Sequence, residues 1–373
     1  MVAQTIPEVE HFVPVAPSRE AIDFVDLKVL DFSKYDVGSE ERKQLAEQIR
    51  QAMTTQGFFT IINHGISQSE IERQVDIGHT IFKRTSPEEK ELTRAPIVEK
   101  GSYFGFKLRG HWRLTGGKND NIENFNISRD MEQTPQPTPM KPFIPEIQKF
   151  VDFIHKDILF KIYRLFAIAL EIDDEDFFVK LHDYNKHDES WLRYMEYYDE
   201  QDPKNSNGEK SLWLGGHQDL SALSLLFSQP MSSLQVRDYD DDSKWKYVAH
   251  TPGAIIVNAG EIVKWWTGEY FKAAIHRVVQ PPEDQRGHGR SSVFYFAVPN
   301  DNVVINTLLE ESPVLRAAGV ERAHKPEGAP TSKEWVNARV QMTGQKAAFG
   351  SEGGNKENRT VEKVGKVTTT WFR

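Results

Sequence analysis

The chain has 373 residues, with 46 basic and 55 acidic side chains and a formal charge of −9. That balance disfavours nucleic acid as a partner, because phosphate binding needs a basic face. The absence of cysteine excludes disulfides, thiolate catalysis, iron–sulfur clusters and cysteine zinc sites together.

No apolar run approaches the roughly 20 residues of a membrane span. The first twenty residues carry acids and prolines but no apolar segment, so they do not read as a secretory signal. A soluble cytoplasmic protein is expected, with no membrane partner and an oligomeric state that composition leaves open. Residues 1–20 read as a loosely held arm. Ala21–Phe32 alternates like a first strand, and Ser39–Thr55 is an amphipathic helix with Ser39 as its cap. Gly57–Asn63 is a buried strand, followed by a second helix to about Lys83 and a helical turn opened by Ser86-Pro87.

The stretch 95–145 is rich in Gly, Pro and Asn and reads as long loops with short strands. A long helix follows over 146–171. From Trp191 to Pro299, short alternating runs separated by turn residues indicate a β-sandwich or barrel. Residues 321–373 carry 10 basic and 6 acidic side chains, with one helix over Ser332–Met342 and a flexible segment over 350–368. The divisions are an arm (1–20), a helical and loop region (21–145), supporting helices (146–186), a β core (187–305) and a C-terminal extension (306–373).

The most informative segment is His217-Gln218-Asp219. It leads into a Leu-rich alternating run, and on a strand positions two apart share a face. An imidazole and a carboxylate would then project side by side and fill two positions of a metal site. With 12 His and 23 Asp in the chain, chance alone supplies roughly 0.7 such triplets, so the motif needs companions. A second triplet, His155-Lys156-Asp157, lies in the long helix, where residues two apart diverge. His187-Asp188-Glu189 lies in a polar stretch and reads as a solvated loop.

The companions lie downstream. His276, in AAIHRVV, offers a third ligand from another strand. Arg290, Ser292, Phe294 and Phe296 share one face of a further strand, and an inward guanidinium beside a hydroxyl calls for an anion. Arg193, Met195 and Tyr197 share a face of a third strand.

These residues resemble the plant- and fungal-type Fe(II)/2-oxoglutarate-dependent oxygenases, the superfamily of isopenicillin N synthase. The resemblance covers about residues 22–300. It is carried by GFFTIINHGI (Gly57–Ile66), SPEEKE (Ser86–Glu91), His217-x-Asp219, PGAIIVNAGEIVKWWTGEYFKAAIHRVV (Pro252–Val279) and Arg290-x-Ser292. The resemblance implies an α+β fold with a mainly β core, a double-stranded β-helix (jelly roll) flanked by N-terminal helices and one long central helix. It implies Fe(II) held by His217, Asp219 and His276, and 2-oxoglutarate held by Arg290, Ser292 and Tyr197. O2 would be the second co-substrate, with ascorbate a candidate reductant.

An unactivated C–H bond of a small metabolite would be oxidised with release of succinate and CO2. Arg193, Phe296, Tyr103, Phe104, His111 and Arg113 are candidate contacts to a flat or aromatic substrate bearing an acidic group. Two positions depart from the family pattern: Met195 stands where an Asn is common, and Thr267-Gly268-Glu269 replaces the usual Thr-Asn-Gly. Other readings of the same residues are an iron-dependent oxidase that does not use 2-oxoglutarate, a non-catalytic jelly-roll metabolite-binding protein and a zinc hydrolase.

Overall fold

The computed structural model describes residues 6–112, 119–199, 212–239, 241, 244–325, 328–342, 359–364 and 367–372. Strands β1 (Lys28–Asp31) and β2 (Phe58–Ile62) run parallel, joined through helix α1 (Ser39–Thr55). Gly38, not Ser39, occupies the cap of α1. Glu40 and Glu41 lie in its first turn, where the helix dipole favours carboxylates.

α2 (Gln68–Arg84) opens on a full capping box, Ser67 and Glu70 each closing the other's backbone N–H. α3 (Pro87–Leu92) starts after Ser86 as the proline indicates, and α4 (Ile97–Lys100) ends at Gly101 with φ 63°. The described part of the arm, residues 6–20, is tied down rather than loose. The Phe12 N–H donates to Asp76 (2.8 Å), the Glu10 N–H to Thr80 (2.7 Å) and the Ser18 hydroxyl to Asp284 (2.7 Å).

The expectation of loops and short strands over 95–145 holds for β3 (Gly105–Lys107) and fails at β4 (Ile122–Ser128), seven residues long and buried throughout. Its asparagines mimic loop composition, yet they are bonded inside the protein. Asn126 Nδ2 donates to the Tyr103 carbonyl (2.8 Å) and to Asn124 Oδ1 (3.0 Å). The long central helix is α5 (Ile144–Phe153) and α6 (Phe160–Ala169), joined by a π-helical stretch over Ile154–Leu159. α7 (Phe177–Leu181) follows.

His155, on the π stretch, is buried while Asp157 is exposed, so this pair cannot chelate. Its Nε2–H donates to the His182 carbonyl (3.2 Å), which leaves Nδ1 to accept from the Tyr295 hydroxyl (2.6 Å).

The remaining core strands are β5 (Trp191–Tyr197), β6 (Leu212–His217), β7 (Leu223–Phe227), β8 (Leu234–Arg237), β9 (Trp245–Tyr247), β10 (Ile255–Ala259), β11 (His276–Val279) and β12 (Arg290–Ala297). They form a jelly roll of two sheets. The major sheet has the order β1-β2-β10-β7-β12-β5-β4-β3 and the minor sheet β6-β11-β8-β9.

Directly paired residues share a face, so the register writes out the inner surface of the major sheet. One row is Ile122, Tyr197 and Arg290, and the next is Asn124, Met195 and Ser292. The third holds Asn126, Arg193, Phe294, Leu226 and Ile256, and the fourth Ser128, Trp191, Phe296, Ser224 and Asn258. Tyr197 stacks on Trp213 of β6 (5.6 Å, 22°), bridging the two sheets.

The outer face packs on the helices. A Cβ at Gly78 of α2 would lie 2.8 Å from the Tyr194 ring, so helix and sheet touch there. α8 (Glu261–Trp266), α9 (Pro313–Ala317) and α10 (Ser332–Met342) complete the described helices. Of the segment expected to be flexible, 350–358 lies outside the described residues. The chain beyond it pairs as a hairpin, β13 (Arg359–Val364) with β14 (Val367–Phe372).

Candidate metal centre and anion pocket

β6 and β11 are neighbours in the minor sheet, and their register sets His217 directly opposite His276, ring centres 4.4 Å apart. Asp219 follows two residues after His217 and turns back toward both rings. Its Oδ1 lies 3.6 Å from His217 Nε2 and 3.8 Å from His276 Nε2. A ligand atom from each of the three lies within 4.8 Å of the others.

A carbonyl can only accept, so the bonds of His217 Nδ1 to the Gly215 carbonyl (2.8 Å) and His276 Nδ1 to the Ala274 carbonyl (3.4 Å) put the proton on Nδ1. Both Nε2 lone pairs are left for a metal. Asp219 Oδ2 accepts from Ser224 Oγ (2.6 Å) and Asn258 Nδ2 (2.8 Å), which fixes the carboxylate and leaves Oδ1 toward the imidazoles. The turn itself is seated on α8. The Glu261 N–H donates to the Asp219 carbonyl (2.8 Å), and a Cβ at Gly260 would lie 2.0 Å from the Ser221 oxygen.

Burial pushes the His217 pKa down from 6.5 to about 4, with the neighbouring His276 adding to the shift. Burial would raise Asp219, but His276, His217 and the bonds from Asn258 and Ser224 outweigh it and hold the carboxyl below its ordinary range. The cluster therefore offers two imidazole Nε2 atoms and an ionised carboxylate oxygen. That donor set suits a borderline divalent metal with open positions.

Across the cavity, β12 and β5 set Arg290 opposite Tyr197, with the guanidinium carbon 5.0 Å from the ring centre. Arg290 and Ser292 are buried, yet Arg290 Nε and Nη1 and Ser292 Oγ have no hydrogen-bond partner among the described residues. Each such orphan costs about 1–3 kcal/mol. Burial also draws the Arg290 pKa down, against the effect of Tyr197. Buried donors around a desolvated cation fit a carboxylate of matching fork geometry.

The expected substrate contacts separate into two groups. Arg193 Nε donates to Asn126 Oδ1 (2.6 Å), and its guanidinium lies over Phe296 (4.9 Å), Tyr103 (5.4 Å) and Trp191 (5.8 Å). No carboxylate pairs with Arg193 among the described residues. Burial lowers its pKa, while Tyr103 and Asp219 act in the opposite sense, so Arg193 lies within electrostatic reach of the triad. Phe296 stacks on Trp191 (4.6 Å, 16°).

Phe104 is buried in the main core beside them, with its N–H on Ser102 Oγ (3.3 Å). His111 is half-buried, and its Nε2 has no hydrogen-bond partner among the described residues. Its charged neighbours are Lys107, Asp120, Arg94 and Glu99. Arg113 lies outside the described residues.

His187, Glu189 and Asp301 also bring ligand atoms within 4.8 Å of one another. There, however, His187 is held between Asp301 (2.8 Å) and Gln133 (2.9 Å), and Lys333 already neutralises Asp301 (2.7 Å). The stretch expected to be a solvated loop is exposed only at His187: Asp188 is buried and pairs with Arg129 (3.1 Å). Sequence reasoning assigned no role to Ser224, Asn258 or Asn126. Asn258 lies inside the VNAGE run and carried a readable signal; Ser224, five residues past Asp219 and across a turn, did not follow from a period of two.

Two family profiles match. Residues 27–146 fit the N-terminal region described as that of a non-haem dioxygenase in morphine synthesis, and residues 189–299 fit the 2OG-Fe(II) oxygenase superfamily. An Aspergillus fumigatus 2-oxoglutarate-Fe(II) type oxidoreductase is 28% identical over 298 residues, covering 75% of this chain and 84% of the relative. Gibberellin 20 oxidase 5 of Arabidopsis thaliana is 25% identical, covering 79% and 74%.

Among solved structures, a full-length Neurospora crassa protein in complex with alpha-KG and thymine superimposes with a TM-score of 0.70 at 23% identity, covering 84% of this chain and 96% of that one. That structural likeness speaks for the fold, and the two profiles together span more than half of the sequence. The chain belongs to the Fe(II)- and 2-oxoglutarate-dependent oxygenases of the plant and fungal, isopenicillin N synthase-like type.

Proposed function

We propose that His217, Asp219 and His276 hold Fe(II), and that Arg290, Ser292 and Tyr197 hold the distal carboxylate of 2-oxoglutarate. The observation that carries this reading is the set of unpartnered donors on Arg290 and Ser292, buried between the sheets that also carry the triad. Succinate release separates this reading from an oxidase that does not use 2-oxoglutarate, and O2 consumption separates it from a bare binding protein.

When bound, Fe(II) with 2-oxoglutarate and O2 would supply an oxidant for a C–H bond, 2-oxoglutarate being converted to succinate and CO2 while the iron is regenerated. The protein's part is placement. Asn258 and Ser224 fix Asp219, the two backbone-anchored Nδ1–H groups aim both imidazoles, and the aromatic lining keeps water from the reacting carbon.

The substrate in this reading is a small planar metabolite with a carboxylate or ring carbonyl oxygen. Arg193 faces that oxygen from a box of Tyr103, Trp191 and Phe296, with no counterion of its own among the described residues. The thymine named with the Neurospora structure, a planar ring bearing carbonyl oxygens, fits that class. The enzyme would act on a natural product in the cytoplasm, where reducing conditions keep iron ferrous.

The test is substrate-stimulated succinate release over a panel of aromatic acids, pyrimidines and uncharged aromatics. Oxygen-bearing planar compounds should stimulate, and Arg193→Met should raise their KM at least tenfold without changing 2-oxoglutarate affinity. Equal stimulation by apolar aromatics, with the preference unchanged in Arg193→Met, would remove the assignment.

A further inference from the structure

His217 and His276 are held by a strand ladder, but Asp219 lies past the end of β6 on a turn, where backbone restraint is weaker. What restrains that turn comes in part from the C-terminal extension. Trp335 Nε1 on α10 donates to the main-chain oxygen of Leu220, the residue after Asp219, at 2.9 Å. Four residues on, about one helical turn along the same face, Arg339 Nε donates to Glu261 Oε2 at 3.1 Å in a buried ion pair. Glu261 is the residue whose N–H holds the Asp219 carbonyl.

α10 therefore grips the Asp219 turn both directly and through α8. Its own start is anchored by Ser332 Oγ, which donates to the Pro299 carbonyl (2.8 Å), just beyond the strand that carries Arg290. Its far side touches α4 so closely that a Cβ on Gly101 would lie 2.4 Å from the Asn337 oxygen.

We propose that α10 is a working part of the metal centre, with Trp335 and Arg339 as positioning residues that keep the Asp219 carboxylate aligned with the two imidazoles. The helix lies outside the matched 2OG-Fe(II) oxygenase region, which ends at residue 299. The proposal rests on reading His217, Asp219 and His276 as the metal ligands.

The experiment is anaerobic titration of the full chain with Fe(II) alone, alongside thermal unfolding of the metal-free protein. The variants are Trp335→Phe, which keeps an aromatic ring but not its N–H donor, Arg339→Met, and Val340→Ala. Val340 is buried on the same helix and its side chain has no donor or acceptor for the turn, so it reports general loosening. Partners of metal ligands typically cost 10–100-fold in affinity when removed. Trp335→Phe and Arg339→Met should weaken Fe(II) about tenfold, while Val340→Ala should change it by less than about threefold.

Wild-type Fe(II) affinity in Trp335→Phe and Arg339→Met would overturn the proposal. So would a loss in Val340→Ala equal to theirs at matched thermal stability. Failure of the unaltered chain to bind Fe(II) would instead refute the ligand assignment beneath it, so the two failures are distinguishable.

Discussion

Arg290→Met is the perturbation whose size follows most directly from the site. The side chain brings two buried, unpartnered nitrogens and Ser292 a third donor. A hydrogen bond to a charged group contributes about 1.5–3 kcal/mol net, and truncating one partner of a buried charge pair costs about 2–5 kcal/mol. The overlap for two bonds is about 3–5 kcal/mol, or roughly a 150- to 5,000-fold weaker 2-oxoglutarate Kd.

Ser292→Ala removes one neutral donor and should cost about tenfold. The metal-free, co-substrate-free protein should lose no stability in Arg290→Met, because methionine replaces a desolvated cation whose Nε and Nη1 have no partner there. The assay is anaerobic titration of 2-oxoglutarate into Fe(II)-loaded protein, followed by the weak visible band of the complex. A separate titration with Fe(II) alone completes it. A loss of iron affinity equal to the loss of 2-oxoglutarate affinity would refute the reasoning, as would a 2-oxoglutarate Kd within threefold of the wild type.

Asp219→Ala removes a ligand oxygen and strands Asn258 Nδ2, while Ser224 Oγ keeps only Ser221 Oγ. Succinate formation should be abolished and Fe(II) bound at least tenfold more weakly, and turnover above about a tenth of wild type would contradict the assignment. Acid stability tests the buried histidines away from the metal. Burial depresses His155 to about 4 and His182 to about 3, so between pH 6.5 and those values the unfolded chain binds protons that the folded chain does not. Stability must then fall as pH drops below 6.5, by about 1.4 kcal/mol per pH unit for each histidine, and neither contributes any slope above that range. Urea unfolding of the metal-free chain from pH 4.5 to 8 should show His155→Gln losing about that much of the slope, and equal slopes would show that His155 is not the group concerned.

The site was legible through the strand period of two. That period holds for Arg290 beside Ser292 on β12, but not for Asp219: β6 ends at His217, and the carboxylate reaches the imidazoles from a turn rather than from the same strand face. The direct opposition of His217 and His276 was not legible, since cross-strand register is set by partners dozens of residues away. β4 was misread because Asn124 and Asn126 carry the composition of a loop. Asn126 bonds to Tyr103, Arg193 and the Asn124 oxygen, a tertiary fact, while Asn124 Nδ2 has no partner among the described residues.

The role of α10 left no mark either. Trp335 and Arg339 read as one more aromatic and one more cation until the fold brings Leu220 and Glu261 beside them.

The most direct measurement is anomalous diffraction at the iron edge from crystals loaded anaerobically with Fe(II). The account predicts a single strong peak within about 2.0–2.2 Å of His217 Nε2, His276 Nε2 and an Asp219 carboxylate oxygen. A peak at His187, Glu189 and Asp301, with none between the two facing imidazoles, would contradict it.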